Sequence, residues 1–224
     1  MKRKFHPAKL QFVRFFLTTW VLILFTCCAY AQDEDDRTFF GGLTLGGNFT
    51  QVDGDNFAGY NKVGINAGVV VFARLGERVA AGMELLYSQK GSRSTKARLA
   101  NDQSTVLVNY RIRLNYAEVP LTLNYFDNKK NHFGGGIAYA QLFSSKETYQ
   151  DGFGAKYEQD AKLYPFRKFD LNFLLHGSAH IWKGFYLNLR FQYSLLSIRN
   201  AHNFLTGRAE QYNNMWSTRL TYIF

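Results

Sequence analysis

Cysteine is nearly absent from this chain: 224 residues hold two, Cys27 and Cys28, both within the first 31. Beyond that point a disulfide scaffold is excluded, so the fold must close by hydrogen bonding and packing alone. Proline occurs three times and glycine 19 times, which excludes collagen-like and proline-rich disordered classes. After residue 31 no apolar run reaches the roughly 20 residues that a membrane helix needs. Metal-ligand spacing is missing too, because the remaining histidines (His132, His176, His180, His202) are scattered and no cysteine accompanies them. Asp53-Gly54-Asp55-Asn56 stops short of a calcium loop and reads as a turn-rich connector. No glycine-rich loop opens a helix to cradle phosphate.

Acids are few: 17 against 27 basic residues, for a formal charge of +10. Half of that excess sits at the start. Lys2, Arg3, Lys4, Lys9 and Arg14 precede an apolar run from Phe15 to about Cys28, then Ala29-Tyr30-Ala31 and the acidic Asp33 to Asp36. A basic region, an apolar region and a small-x-small site in that order predict a signal peptide over residues 1–31, cleaved after Ala31. An uncleaved anchor helix is the alternative. A lipoprotein is disfavoured because Phe25 stands where a small residue would be expected before the cysteines. Residues 32–37 form a short acidic segment ahead of the domain 38–224. Without residues 1–31 the charge falls to +5, and nucleic-acid binding loses its main support.

What remains alternates with a period of two. Phe185, Leu187, Leu189, Phe191, Tyr193 and Leu195 interleave with Tyr186, Asn188, Arg190, Gln192 and Ser194, and Trp216 to Phe224 repeats the pattern. Strands are predicted near 38–51, 62–74, 78–91, 109–126, 131–146, 166–182, 185–199 and 211–224. Most exceed the 9–11 residues of a tilted membrane strand. Connectors after even-numbered strands are short (75–77, 127–130, 183–184), whereas those after odd-numbered strands are longer and polar (52–61, 92–108, 147–165, 200–210). That sorting predicts an eight-stranded antiparallel up-and-down barrel in the outer membrane of a Gram-negative cell, with short periplasmic turns and longer outer loops. A soluble sandwich has no reason to sort its loops. A monomer in outer-membrane lipid is expected. Its last strand ends at the aromatic Phe224, which resembles the signal read by barrel-assembly machinery.

One strand is irregular. Arg111, Arg113 and Asn115 share a parity that Ala117, Val119, Leu121, Leu123 and Tyr125 continue. Either a bulge near Tyr116-Ala117 shifts the phase, as Pro120 would suit, or the upper part stands above the membrane with both faces wet.

Alternation sends Glu84, Glu118, Arg190 and Arg219 inward, the acids facing the arginines across the lumen. A structural charge network is expected, because eight strands enclose only enough room for side chains; a narrow pore is the alternative. These four should lie within salt-bridge reach of each other or one water apart. His176, Ser178 and His180 also share a face, an arrangement similar to the His-x-Ser of outer-membrane lipid A deacylases. Their parity, shared with Asp170 and Asn172, faces the lumen near the periplasmic end, and no acid is placed to orient the imidazole. They are therefore expected to line the lumen. No catalytic, cofactor-binding or metal residue is assigned, and no cofactor is expected.

Three segments carry a family resemblance: Gly46-Gly47-Asn48-Phe49-Thr50-Gln51-Val52-Asp53-Gly54 with Gly59 to Gly64, then Glu84-Leu85-Leu86-Tyr87-Ser88-Gln89-Lys90-Gly91, then Tyr116-Ala117-Glu118-Val119-Pro120-Leu121. As a set they resemble PorT-like outer-membrane barrels of Bacteroidetes-type bacteria. The resemblance implies fold and location more than activity. A founding member takes part in type IX secretion, but no residue here marks the secretion component. The expected function is a non-enzymatic barrel with a structural or accessory, partner-binding role through its outer loops. An accessory role in protein secretion is the alternative, and lipid A modification or a narrow pore are further ones. Loop 147–165, with Tyr149, Phe153, Tyr157, Tyr164 and Phe166 at its edge, is the candidate contact surface.

Overall fold

The fold was analysed in a computed structural model that describes residues 37–55, 57, 59–100, 106–160, 162–199 and 210–224. The signal segment 1–31 and the acidic segment up to Asp36 therefore lie outside the described residues. Among the described residues ten strands are present: β1 (Phe39–Asp53), β2 (Lys62–Arg74), β3 (Val79–Ser94), β4 (Arg98–Leu99), β5 (Val106–Phe126), β6 (His132–Asp151), β7 (Lys156–Glu158), β8 (Phe169–Trp182), β9 (Phe185–Ser194) and β10 (Tyr212–Ile223). Among the described residues no helix is long and apolar enough to cross a membrane, which says nothing of crossing by strands.

All pairings are antiparallel. The ring runs β1, β2, β3, β5, β6, β8, β9, β10, and β10 returns to β1 in register from Gly42–Ile223 to Asp53–Tyr212. No edge is left along the wall, so backbone groups are satisfied without water. The two short strands, β4 against β5 and β7 against β6, extend the outer end and were not anticipated.

The wall faces outward with Leu85, Leu121, Ile137, Leu175, Leu189 and Leu220, all exposed. An apolar belt of this extent marks a lipid-facing surface. Aromatic pairs border it: Tyr125–Phe133 and Phe185–Tyr222 at the end of the short turns, Tyr87–Phe143 and Tyr193–Tyr212 towards the other end.

The irregular strand follows neither account in full: its upper part does rise past the apolar belt, but only the outer face there is polar. In β5 even-numbered residues point inward continuously from Tyr110 to Asn124, so the phase never shifts. Polarity exchanges faces instead. Below Tyr116 the inner face carries Glu118, Thr122 and Asn124, and the outer face Leu121 and Leu123; above it the inner face carries Leu114, Ile112 and Tyr110, and the outer face Asn115, Arg113 and Arg111. The upper wall is built like a soluble protein, apolar within and charged without. A register shift does occur at Asn115/Tyr116, but β6 carries it, with Phe143 as the extra residue. Pro120 makes no bulge: β3–β5 pairing lapses at Glu84 and Leu85 and resumes in the same register, as expected where a donor is missing.

Several boundaries also differ: β3 runs on to Ser94, β5 begins at Val106 and β6 ends at Asp151. β8 begins at Phe169, not at residue 166, and β9 ends at Ser194, not at 199. Past Leu195 the chain leaves β8, and Ile198 donates to the Gln211 carbonyl at 2.7 Å beside an isolated Arg199–Gln211 bridge.

Candidate functional site

The lumen is filled in layers. At the end of the short turns, Phe40, Phe72 and Phe126 pack with Val70 and Ala80, and His132 stacks on Phe126. Above them lies the first charged layer. Arg190 and Arg219 both converge on Glu84: Arg190 Nη2 donates to Oε1, and Arg219 Nη1 donates to Oε2 at 2.8 Å. Asn188 accepts from Arg219 Nε and Nη2 at 3.0 and 2.7 Å.

Glu118 is not part of that cluster. It sits one layer higher, where Lys90 Nζ approaches its Oε2 at 3.4 Å and Gln192 donates to its Oε1 at 2.5 Å. Lys90 also donates to Asn172 at 3.1 Å and lies 3.9 Å from Asp170, which accepts from Ser194 and Asn213 at 2.8 and 2.9 Å. The four residues singled out by alternation thus fall into two layers, three on Glu84 and one on Lys90. Lys90 was overlooked, although it shares the inward parity of Glu84 in β3.

Over this second layer Tyr116 closes the polar section, its ring 5.2 Å from Lys90 Nζ. An apolar plug follows: Leu114, Ile112, Tyr110, Leu107, Val52, Phe57, Phe166 and Ile198, all buried. One ion pair is embedded there. Arg199 donates to Glu147 at 2.5 Å, its guanidinium lies 3.8 Å over the Phe166 ring, and Tyr110 Oη donates to the other Glu147 oxygen. Burial, reinforced by Glu147, pushes the Tyr110 phenol upward. In the turn after β1, Asp55 is buried and accepts from the Phe57 amide at 2.7 Å; burial raises its carboxyl to about 7.

His176 and Ser178 do share the inner face, but they are not coupled. Asn188 stands between them, its amide nitrogen 2.7 Å from Ser178 Oγ and 3.2 Å from His176 Nδ1. A serine held by an amide donor has no base positioned to take its proton. His180 turns away to the Lys183 carbonyl at 2.5 Å. Among the described residues no group of three or more His, Cys, Asp or Glu is placed to hold a metal.

Loop 147–165 is largely a hairpin rather than a loop. β6 continues to Asp151 and β7 returns along it, with Tyr149 stacked on Tyr157 at 5.2 Å. Phe153 at its tip is fully exposed, whereas Phe166 belongs to the plug.

A closed antiparallel wall with an apolar belt, ring borders and a packed polar lumen defines a β-barrel of the Gram-negative outer membrane. The chain belongs to the outer membrane protein beta-barrel domain family, whose model matches residues 30–200. No curated protein matches it. Among solved structures it is similar to Ail of Yersinia pestis (11% identity, TM-score 0.49, covering 84% of this chain and all of that one). It is also similar to Neisserial surface protein A (9%, 0.42, 83% and 97%) and to the outer membrane protein AlkL (14%, 0.38, 87% and 95%).

The resemblance to PorT-like barrels of Bacteroidetes-type bacteria is corrected by the family match, which is to the outer membrane protein beta-barrel domain. The segments that carried the resemblance serve general needs of a barrel wall. Glu84 and Glu118 hold interior cations, Pro120 interrupts a ladder, and Gly91 adopts a φ of 130°.

Proposed function

We propose that the chain is an eight-stranded, non-conducting barrel that carries a rigid outer platform for binding a partner. The observation behind this reading is the exchange of polarity at Tyr116. Strands that merely anchored loops would end at the lipid boundary, whereas β5 and β6 continue above it around a dry core. The hairpin Glu147–Glu158, with Phe153 and Tyr157 exposed, is the surface we assign to contact. The lumen network of Glu84, Glu118, Arg190 and Arg219 is assigned a structural role: it fills the interior. Phe224 is assigned to recognition by the assembly machinery as the protein is inserted, and the mature barrel is taken to begin after Ala31. The secretion reading rested on the resemblance now corrected and is not carried forward.

Two measurements test the proposal. Purified protein in planar bilayers is expected to give no discrete conductance steps; steady channel activity would overturn the closed lumen. A photo-crosslinking residue at Phe153 on living cells is expected to give a defined adduct that the same probe at lipid-facing Leu121 does not. Identical patterns from both sites would overturn the platform.

A further inference from the structure

Directly above the upper ring border, the outward face of β3, β5 and β6 carries an array of cations. Arg93 is matched with Arg111 across β3–β5, and Arg113 with Lys146 across β5–β6. Like charges placed opposite each other on neighbouring strands destabilise a sheet. Here two such pairs adjoin, and both are solvent-facing by strand parity. Lys146 pairs with Glu158 at 2.6 Å in an exposed ion pair. Among the described residues Arg93, Arg111 and Arg113 form no ion pair. Partial desolvation holds the Arg111 guanidinium below its usual range, and Arg113 and Arg93 add to the effect. Beside them opens a groove of about 490 Å³ whose lining includes Arg93, Arg111, Lys156, Tyr149 and Tyr157.

Height decides what this array meets. Counting along the wall, Leu121 and Ala117 lie in the belt, Tyr87 is matched with Ala117, and Asn115 follows; Arg113 is the next outward position. The Gln89–Asn115 pair stands between, so the cations begin at the second outward pair above the ring border, at the level of lipid headgroups. Neighbouring strands are about 5 Å apart and successive outward residues about 7 Å apart, so the three arginines can grip the oxygens of one or two phosphate groups in forked geometry.

We propose that Arg93, Arg111 and Arg113 form a site for the phosphate groups of a phosphorylated glycolipid in the outer leaflet. The site rests on the membrane location and not on the platform reading, since it needs no protein partner. Bound phosphate relieves the repulsion between matched arginines, and the ring border below packs against the acyl chains of the same lipid.

The test uses folded protein in detergent with three additives: diphosphorylated lipid A, the same lipid stripped of phosphate, and sodium phosphate at equal concentration. Unfolding is followed by gel mobility of unboiled samples. Diphosphorylated lipid A is expected to raise the midpoint, and the other two are expected to leave it unchanged. In the variant Arg93→Gln/Arg111→Gln/Arg113→Gln the lipid's apparent affinity should fall about tenfold or more, and Lys at all three positions should restore most of it. An equal response to stripped lipid, or an unweakened response in the glutamine variant, overturns the site. Stabilisation by sodium phosphate alone overturns the lipid as its occupant. Should the glutamine variant not fold, the comparison of phosphorylated with stripped lipid on the unaltered protein still decides. A failure here leaves the crosslinking result at Phe153 untouched.

Discussion

Replacing Glu84 with glutamine removes the one carboxylate that Arg190 and Arg219 share. Both arginines are almost wholly buried, at 1% and 3% exposure. A stranded buried charge keeps its desolvation penalty and loses its attraction, which typically costs about 3–5 kcal/mol. Two cations lose a partner here, yet Asn188 still accepts from Arg219 at 3.0 and 2.7 Å. The expected loss therefore stays near that of one pair, about 3–5 kcal/mol, or roughly a hundred- to a few-thousandfold in the folding equilibrium. Urea titration in phospholipid vesicles, followed by gel mobility and by the fluorescence of Trp182 and Trp216, would measure it. Glu158→Gln is the internal control: it breaks a 2.6 Å pair whose side chains are 51% and 59% exposed, and should cost less than about 1 kcal/mol. Glu84→Gln combined with Arg190→Met and Arg219→Met should recover most of the loss, because that layer then buries no charge. The reasoning fails if Glu84→Gln lies within about 1 kcal/mol of the parent, or if the triple variant is no more stable than the single.

Other positions give independent checks. Gly91→Ala should destabilise by on the order of 1–3 kcal/mol or more: the site has a φ of 130°, and a Cβ would sit 2.2 Å from the Ile112 carbonyl oxygen. An unchanged urea midpoint would refute this. Asp55 has a folded-state carboxyl near 7 against an ordinary 3.8, so the folded state binds the extra proton between those values. Its contribution to stability is fully present near pH 4 and is lost as pH rises to about 7, by on the order of 2–4 kcal/mol. The difference between parent and Asp55→Asn should therefore change with that sign over that window; a difference independent of pH would count against a buried carboxyl. Finally, His176→Ala should leave the mass of cellular lipid A unaltered, whereas a shift would restore the enzymatic reading.

Much of the wall was legible because period two and connector length are local properties. Lys62–Arg74 has the bounds read from sequence, and the turns at 75–77, 127–130 and 183–184 fall between strands. What alternation does not report is the solvent that each face meets. Arg111, Arg113 and Leu121 share a face, and only the height of the strand decides that the arginines stand in water and the leucine in lipid. The plug was hidden for the same reason, since Tyr110, Ile112 and Leu114 look like a lipid-facing set until their partners Phe57, Phe166 and Ile198 are known. Those partners come from connectors, where no period exists. In the lumen, parity placed Glu84, Arg190 and Arg219 on the inner face, but pairing across the barrel depends on stagger. That is why Glu118 meets Lys90, one layer above the arginines.

The seam between β1 and β10 bears on how the protein can be made. Gly42 is matched with Ile223, so almost the whole chain separates the two halves of the closing ladder. β1 must wait for β10. During that interval both carry unpaired backbone groups that lipid will not tolerate and that invite pairing with other chains. Truncation ahead of β10 would remove the ladder that β1 closes against, leaving an open sheet rather than a smaller barrel. Closure thus waits on translation: β1 can shut only once β10 has been made.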